Sequence, residues 1–529
     1  MTIKGKPETR IDLSFWLLLA LILILAAILF VRTTPAGVGM VSDSVNYING
    51  ARFIAQGKGY FRESGGGTLK PITNFPPLYS ILLSIPILLG VNEIDAAWWF
   101  SLVFYVLNLF LVAVLIRRIT GNRWLGLAAA VLFLSSKPFL YYQVFAMSEP
   151  LFFFCTLVAF LLLVIGFEND NGWVWFGCGL ACGAAFLTRY VGAVSLGAVI
   201  GAILLIAPRN GRKIQSLLRV FAGALPLMAA WLIRNYLVSG NISNREAYQH
   251  PLTAADFRTG VLIFWKWLYP ERYAGLENPV RWMQLAVLAA GLLGAAYLIF
   301  LTVRGFRTRA NFSLELRMIW VFVLYIFGYL LLVYLTISFL DASVNIEERI
   351  LFPCLLALLL AFLTGIGWLI RRKLKILAAA NLLIALFLIF TFSQDLLHFA
   401  PRFGEEGYGW AWQGWADSPA MKLIMELPSE TVLYSNQPEA VSLIAGRGAY
   451  ALLDPIDPSS HLERPGYQET MQNIRGQVLS GESVLVFFGI NAWIEEGKEN
   501  WITQLCDGLP FIYQDTSEWV LGKLSEEIQ

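Results

Sequence analysis

Charge and histidine are scarce in this chain. Of 529 residues only 14% are charged and only three are histidine, His250, His398 and His461, far apart in sequence. A soluble protein carries charge on about a quarter of its residues, so a wholly water-exposed globular chain is disfavoured from the start. The scattered histidines give no zinc pattern. Five cysteines make no disulfide framework: Cys155, Cys178, Cys182 and Cys354 sit in apolar runs and Cys506 stands alone. Cys178 and Cys182 share a helix face at i, i+4 and read as small packing residues. A formal charge of +2 provides no electrostatic footprint for nucleic acid. The glycine-rich stretch ESGGGTLKPITNF is not followed by GKS or GKT, so it is not a phosphate-cradling loop.

What the chain has in abundance is apolar sequence, 57% of the total. A span needs roughly 20 mainly apolar residues. Such runs occur near 13–31, 96–116, 124–143, 150–167, 173–188, 190–208, 219–238, 282–303, 318–340, 350–370 and 376–393. They predict a polytopic α-helical membrane protein with about eleven transmembrane helices. The first run is too long for a typical cleaved leader and reads as a retained signal anchor. The segment 78–90 reads as a short re-entrant or interfacial helix.

Sidedness follows from lysine and arginine in the short connections. Lys4, Lys6 and Arg10 put the N-terminus in the cytoplasm. Alternate connections then hold Arg117, Arg118 and Arg123; Arg209, Arg212 and Lys213; Arg304, Arg307, Arg309 and Arg317; and Arg371, Arg372, Lys373 and Lys375. The same count places outside a first loop, 33–95, a second long loop, 239–281, and everything after about 394. The expected divisions are therefore a membrane domain, 1–393, and a small extracytoplasmic domain, 394–529, in a plasma-membrane protein.

Ionisable residues gather at the outer ends of these spans. Asp43 and Arg52 follow the first span, Glu149 stands in AMSEPLF, Arg189 in LTRYVG, Arg234 in WLIRNYLVSGN, and Glu347, Glu348 and Arg349 in NIEERILFP. Each one alone reads as a snorkelling or interfacial end residue. Together they mix acids with arginines, the parts needed to hold a phosphate and take up a proton. Asp43 is further expected to cap an amphipathic helix lying in the interface plane, which Gly57 and Gly59 end.

An aspartate just after the first span, then PPLYS, SEPLF, TRYVG, WLIRNYLVSGN and EERILFP in that order, resembles the GT-C membrane glycosyltransferases. The branch it is most similar to contains the protein O-mannosyltransferases and aminoarabinose transferases. The resemblance covers roughly Leu13 to Phe392. It implies transfer of a monosaccharide from a polyprenyl-phosphate donor to a protein, lipid or polysaccharide acceptor on the outer face, with inversion. Asp43 would be the general base, and Arg349 would stabilise the departing lipid phosphate. Arg189 and Arg234 are secondary phosphate candidates. Glu149 and Glu348 are candidates for acceptor binding or a second carboxylate. Many relatives show two adjacent acids in the first loop, whereas Ser44 follows Asp43 here, so a divalent metal at this position stays an open expectation. The competing class is a transporter or flippase of lipid-linked saccharides, which would place charged or broken helices at mid-membrane.

In the outer loop 239–281, FWKWLYPERY with Trp265, Trp267 and Tyr269 reads as an interfacial anchor or as a cover over the site. Trp410, Trp412 and Trp415, after the last span, read as a membrane-interface belt. Beyond them TVLYSN and ESVLVFF read as buried strands, PEAVSLIAG and NWITQLC as helices, and FIYQD with EWVLGKL as a closing hairpin. This is a small α/β domain. Asp454 and Asp457 in LLDPIDP read as turn residues.

Overall fold

The computed structural model describes residues 12–169, 171–205, 212–242, 249–268, 312–341, 344–410, 413–457, 462–495 and 499–523. Every expected span within them is helical. These are α1 (Leu13–Thr33), α4 (Glu93–Thr120), α5 (Arg123–Leu134) with α6 (Lys137–Gln143), α7 (Glu149–Asn169), α8 (Gly172–Thr188), α9 (Ala193–Leu205), α10 (Lys213–Ser239), α12 (Leu314–Phe339), α13 (Glu348–Arg371) and α14 (Lys375–Glu406). The helices α2 (Ser42–Ala55), α3 (Leu78–Leu88) and α11 (Ala254–Leu268) belong to the two long loops. The expected span at 282–303 lies outside the described residues.

Seven of the described helices are long and apolar enough to cross a membrane, or eight if α5 and α6 form one broken span. The expected count of eleven also includes the span at 282–303, which is outside the described residues, and two short helices. At about 1.5 Å per residue, helices as short as α8 and α9 fall short of a core about 30 Å thick. α5 and α6 meet at 68°, where Ser135 and Ser136 interrupt the run and Ser136 caps α6 at Phe139 N.

Polar residues set the ends of the apolar helices. Asp12 caps α1 at Phe15 N, Asn92 caps α4 at Ile94 N, and Asn122 caps α5 at Trp124 N and Leu125 N. Each supplies an acceptor to a donor the helix itself cannot satisfy. Packing between α8 and α10 depends on the absence of side chains. A Cβ on Gly179 would lie 2.1 Å from Val220 O, and one on Gly223 would lie 2.3 Å from Phe176 O. In lipid, where apolar surface gives no preference for a helix neighbour, such close backbone approach is what holds a pair together. Cys178 and Cys182 are both fully buried, and the Cys178 thiol donates to Ala159 O at 3.4 Å.

α14 runs past the last apolar residues to Glu406 and leads into a separate five-stranded sheet of order β4-β3-β5-β7-β6. After the antiparallel pair β1 (Phe61–Glu63) and β2 (Leu69–Pro71) of the first loop, its strands are β3 (Val432–Ser435), β4 (Tyr450–Ala451), β5 (Ser483–Phe488), β6 (Phe511–Gln514) and β7 (Glu518–Leu521). β3 pairs in parallel with β4 and β5, and the closing hairpin is antiparallel. All six residues of β5 are buried, because alternate side chains enter two cores. Val484, Val486 and Phe488 join Met421 and Ile424 from α15 (Pro419–Glu426). Leu485 and Phe487 join Met471, Ile474 and Val478 from α16 (Tyr467–Ser480), with Ile502 and Leu505 from α17 (Glu499–Cys506). Trp410 and Trp415 pack against this domain, Trp415 at 5.1 Å from Phe488. Both rings are partly buried against protein; Trp412 lies outside the described residues. Asp457 pairs with Arg464 at 2.9 Å.

Candidate functional site

The chain leaves α1 and passes through a short extended stretch before α2. Gly39 forms a parallel bridge with Phe145, and Met40 forms one with Gly409. A three-stranded ribbon results, with Gly39 N to Val144 O at 2.8 Å, Ala146 N to Gly39 O at 2.9 Å and Trp410 N to Met40 O at 2.9 Å. α2 begins immediately after it. The cap expected of Asp43 is made differently: Val41 is the N-cap, its N–H donating to Ser44 Oγ at 3.1 Å, and Asp43 stands inside the first turn. A carboxylate there is favoured by the unsatisfied N–H groups of the helix start. α2 is also buried on nearly all sides from Ser44 to Ala51, so it is not the half-exposed interfacial helix expected. It packs against α3 and α4.

Glu149 opens α7 and is 4% exposed. Arg189 sits at the break between α8 and α9, where the backbone is extended, and Arg349 lies in the first turn of α13. These residues from distant parts of the chain meet Asp43. The Arg349 guanidinium donates from Nη2 to Asp43 Oδ2 at 2.5 Å and from Nε to Glu149 Oε1 at 2.5 Å. Arg189 Nη1 lies 2.6 Å from the same Glu149 oxygen. Asp43 and Arg349 remain about a quarter exposed, at 24% and 23%. Beside them the Tyr47 hydroxyl is 2.8 Å from Ser148 Oγ. Among the described residues Glu149 Oε2 has no hydrogen-bond partner although it is buried. An unmet buried acceptor costs about 1–3 kcal/mol, more when charged, so this oxygen is a place where a donor from a bound molecule would be rewarded.

Two acids and two arginines balance in charge. The guanidinium of Arg349 already stands between the two carboxylates a metal would need. Among the described residues no three His, Cys, Asp or Glu side chains gather. The residues present fit an anion shared between two arginines better than a divalent ion.

The other two candidates lie elsewhere. Arg234 donates to Ile72 O at 2.5 Å, Tyr60 O at 3.1 Å and Asn235 Oδ1 at 3.1 Å, and stacks over Trp231. Two of these partners, Ile72 O and Tyr60 O, are carbonyls of the first loop, so Arg234 holds that loop. Glu348, next to Arg349 in sequence, accepts from Trp267 Nε1 at 2.8 Å. Helical geometry explains the divergence, since adjacent residues point about 100° apart. Trp267 is 4% exposed and is thereby an internal anchor for α11; Tyr269 lies outside the described residues. Arg52, grouped with Asp43 by sequence, pairs with Glu93. Tyr47 and Ser148 were missed by sequence reading, because an uncharged hydroxyl beside Asn46 or Glu149 carries no signal of its own. A cleft of about 580 Å³ lies away from the cluster, at the start of α1 and the ends of α4 and α13, lined by Asp12, Arg117, Arg123 and Arg371 among others. Its arginines are paired with Asp12 and Glu315.

The family model described as dolichyl-phosphate-mannose-protein mannosyltransferase matches residues 74–234, which include Glu149, Arg189 and Arg234. Comparison with curated proteins gives no match in sequence. Among solved structures, the chain is similar to an Archaeoglobus fulgidus oligosaccharyltransferase solved with zinc and sulfate, at 14% identity and TM-score 0.51, over 95% of this chain and 73% of that one. It is similar to the same organism's oligosaccharyltransferase AglB with an inhibitory peptide and a dolichol-phosphate, at 11% identity and TM-score 0.50, over 98% and 75%. It also resembles apo ArnT from Cupriavidus metallidurans, at 14% identity and TM-score 0.49, over 97% and 98%.

Proposed function

We propose that this chain, a multi-pass membrane protein of the GT-C glycosyltransferase fold, moves a monosaccharide from a polyprenyl-phosphate donor to a hydroxyl-bearing acceptor. The observation that carries the reading is the double contact of one guanidinium, Arg349, with Asp43 and Glu149. The matched family model is described by a dolichyl-phosphate-linked donor, and an archaeal protein of like fold was solved with a dolichol-phosphate. Both favour testing polyprenyl phosphates first.

In this mechanism the donor phosphate enters beside Arg349 and Arg189 and takes over part of the hydrogen bonding now given to the carboxylates. Asp43, relieved of its partner, accepts the proton of the acceptor hydroxyl. The acceptor oxygen attacks the anomeric carbon from the face opposite the phosphate, and the bond from that carbon to the phosphate oxygen breaks. The electron pair leaves with the phosphate, whose new charge the arginines stabilise. The outcome is inversion. Glu149, held on one oxygen by both Arg349 and Arg189, keeps the two guanidiniums together for the phosphate. No step is assigned to a metal, since the guanidinium of Arg349 stands between the two carboxylates that would hold one. The reaction face is taken to be extracytoplasmic and the N-terminus cytoplasmic, on the arginine and lysine pattern of the connections.

The test uses proteoliposomes containing the full chain and labelled polyprenyl-phosphate sugars. Asp43→Asn should abolish transfer while the protein accumulates normally. Full transfer by that variant would sink the base assignment. Lipid movement across the bilayer without transfer would instead make the protein a transporter.

A further inference from the structure

The ribbon Gly39–Met40, Val144–Ala146 and Tyr408–Trp410 has a register that matters beyond local structure. Asp43 and Glu149 each follow, by four residues, the member of one bridged pair, Gly39 and Phe145. The third strand is the linker between α14 and the sheet domain. It is held by Trp410 N to Met40 O at 2.9 Å and by Tyr408, whose ring stacks on Phe403 and meets Phe145 edge-on at 5.2 Å. Gly409 has φ +62, and a Cβ on it would sit 2.0 Å from Met40 O. The sheet domain touches the same loop twice more at glycines. A Cβ on Gly448 would be 2.7 Å from Ser64 O, and one on Gly65 would be 2.2 Å from the Tyr450 ring.

We infer that the C-terminal sheet domain is a positioning device for the transfer site. Its linker strand, through Gly409 and Trp410, fixes where α2 starts and hence where Asp43 meets Arg349. The linker touches neither carboxylate; it acts through the backbone of Met40. Displacement of that strand by a side chain moves the start of α2 relative to α7, and near-attack geometry is sensitive to shifts of about 1 Å. Donor binding by the arginines of α13 and of the α8–α9 break is left in place. The signature is therefore a fall in kcat with little change in donor KM.

This rests on the proposed transfer reaction, and the experiment separates the two. The full chain is compared as wild type, Gly409→Ala, Gly446→Ala and Asp43→Asn, with kcat and donor KM measured on labelled polyprenyl-phosphate sugars. Gly446 has φ +64 in the same domain, but a Cβ there meets nothing within 4 Å. It controls for backbone strain alone. Gly409→Ala should lose at least tenfold in kcat with donor KM within twofold, and Gly446→Ala should match wild type. Amide exchange in α2 should quicken in Gly409→Ala while that in α13 stays as it was. Should Gly409→Ala not accumulate, Trp410→Pro, which deletes the donor to Met40 O, takes its place. Equal kcat in the Gly409 and Gly446 variants, with Asp43→Asn inactive, overturns the positioning role alone. Activity in Asp43→Asn overturns the underlying reaction.

Discussion

Replacing Arg349 by alanine is the most demanding test of the site. The side chain holds two carboxylates at 2.5 Å each, one of them, Glu149, only 4% exposed. Breaking a buried ion pair costs about 3–5 kcal/mol. Here the lower end applies, because Arg189 stays on the same Glu149 oxygen at 2.6 Å and Asp43 has access to water. The variant should fold with a lowered Tm. Catalysis should suffer more. Removing one donor aimed at developing charge costs about 2.7–4 kcal/mol, or 10²–10³ in kcat. Arg349→Lys keeps the charge but gives up the planar fork that reaches both acids. It should lose one charge-assisted hydrogen bond, worth about 1.5–3 kcal/mol, and fall roughly 10- to 100-fold by the same scale. The assay is initial rate of sugar transfer in proteoliposomes across donor and acceptor concentrations, with Tm measured on the same preparations. If Arg349→Ala keeps kcat within threefold of wild type, or changes only acceptor KM, the phosphate role is refuted.

Three further outcomes are expected. Glu149→Gln leaves two arginines facing one another without their shared buried anion, and should lower Tm by more than Arg189→Gln does; equal shifts would show that the pairing is not what stabilises the cluster. Arg234→Gln should destabilise the first loop, seen as faster proteolysis between Tyr60 and Thr73, with donor KM unchanged. A selective rise in donor KM would return Arg234 to the phosphate-binding group. Cys506 is buried and its thiol is pushed up to about 12 by desolvation, so at pH 8 it should resist maleimide labelling until denaturant is added. Rapid labelling in the native protein would contradict the packing of the second core of the sheet domain.

The cluster itself was partly legible. Asp43, Glu149, Arg189 and Arg349 stand at span ends that the arginine and lysine pattern assigns to one side, and the structure brings all four together. Arg234 and Glu348 share that side by the same count and yet join other partners. Sidedness fixes depth along the bundle to within a turn, but not which way a helix face turns. Glu348 and Arg349 show the limit: one residue apart, one meets Trp267 and the other meets Asp43. The cap of α2 was misjudged because Asp43 and Ser44 are both good capping types, and only the backbone shows that Val41 precedes the helix.

Sequence by itself determined the membrane class, the positions of the apolar helices and the buried strands of the last domain. These follow from hydropathy and periodicity, which act over one or two turns of chain. Tertiary structure alone decided the register of Gly39, Phe145 and Gly409, whose isolated bridges have no periodicity to detect. It also decided the choice of Arg349 over Arg234 as the partner of Asp43 and Glu149. Each of these depends on contacts between residues more than a hundred positions apart, and such contacts are set by packing rather than by local preference.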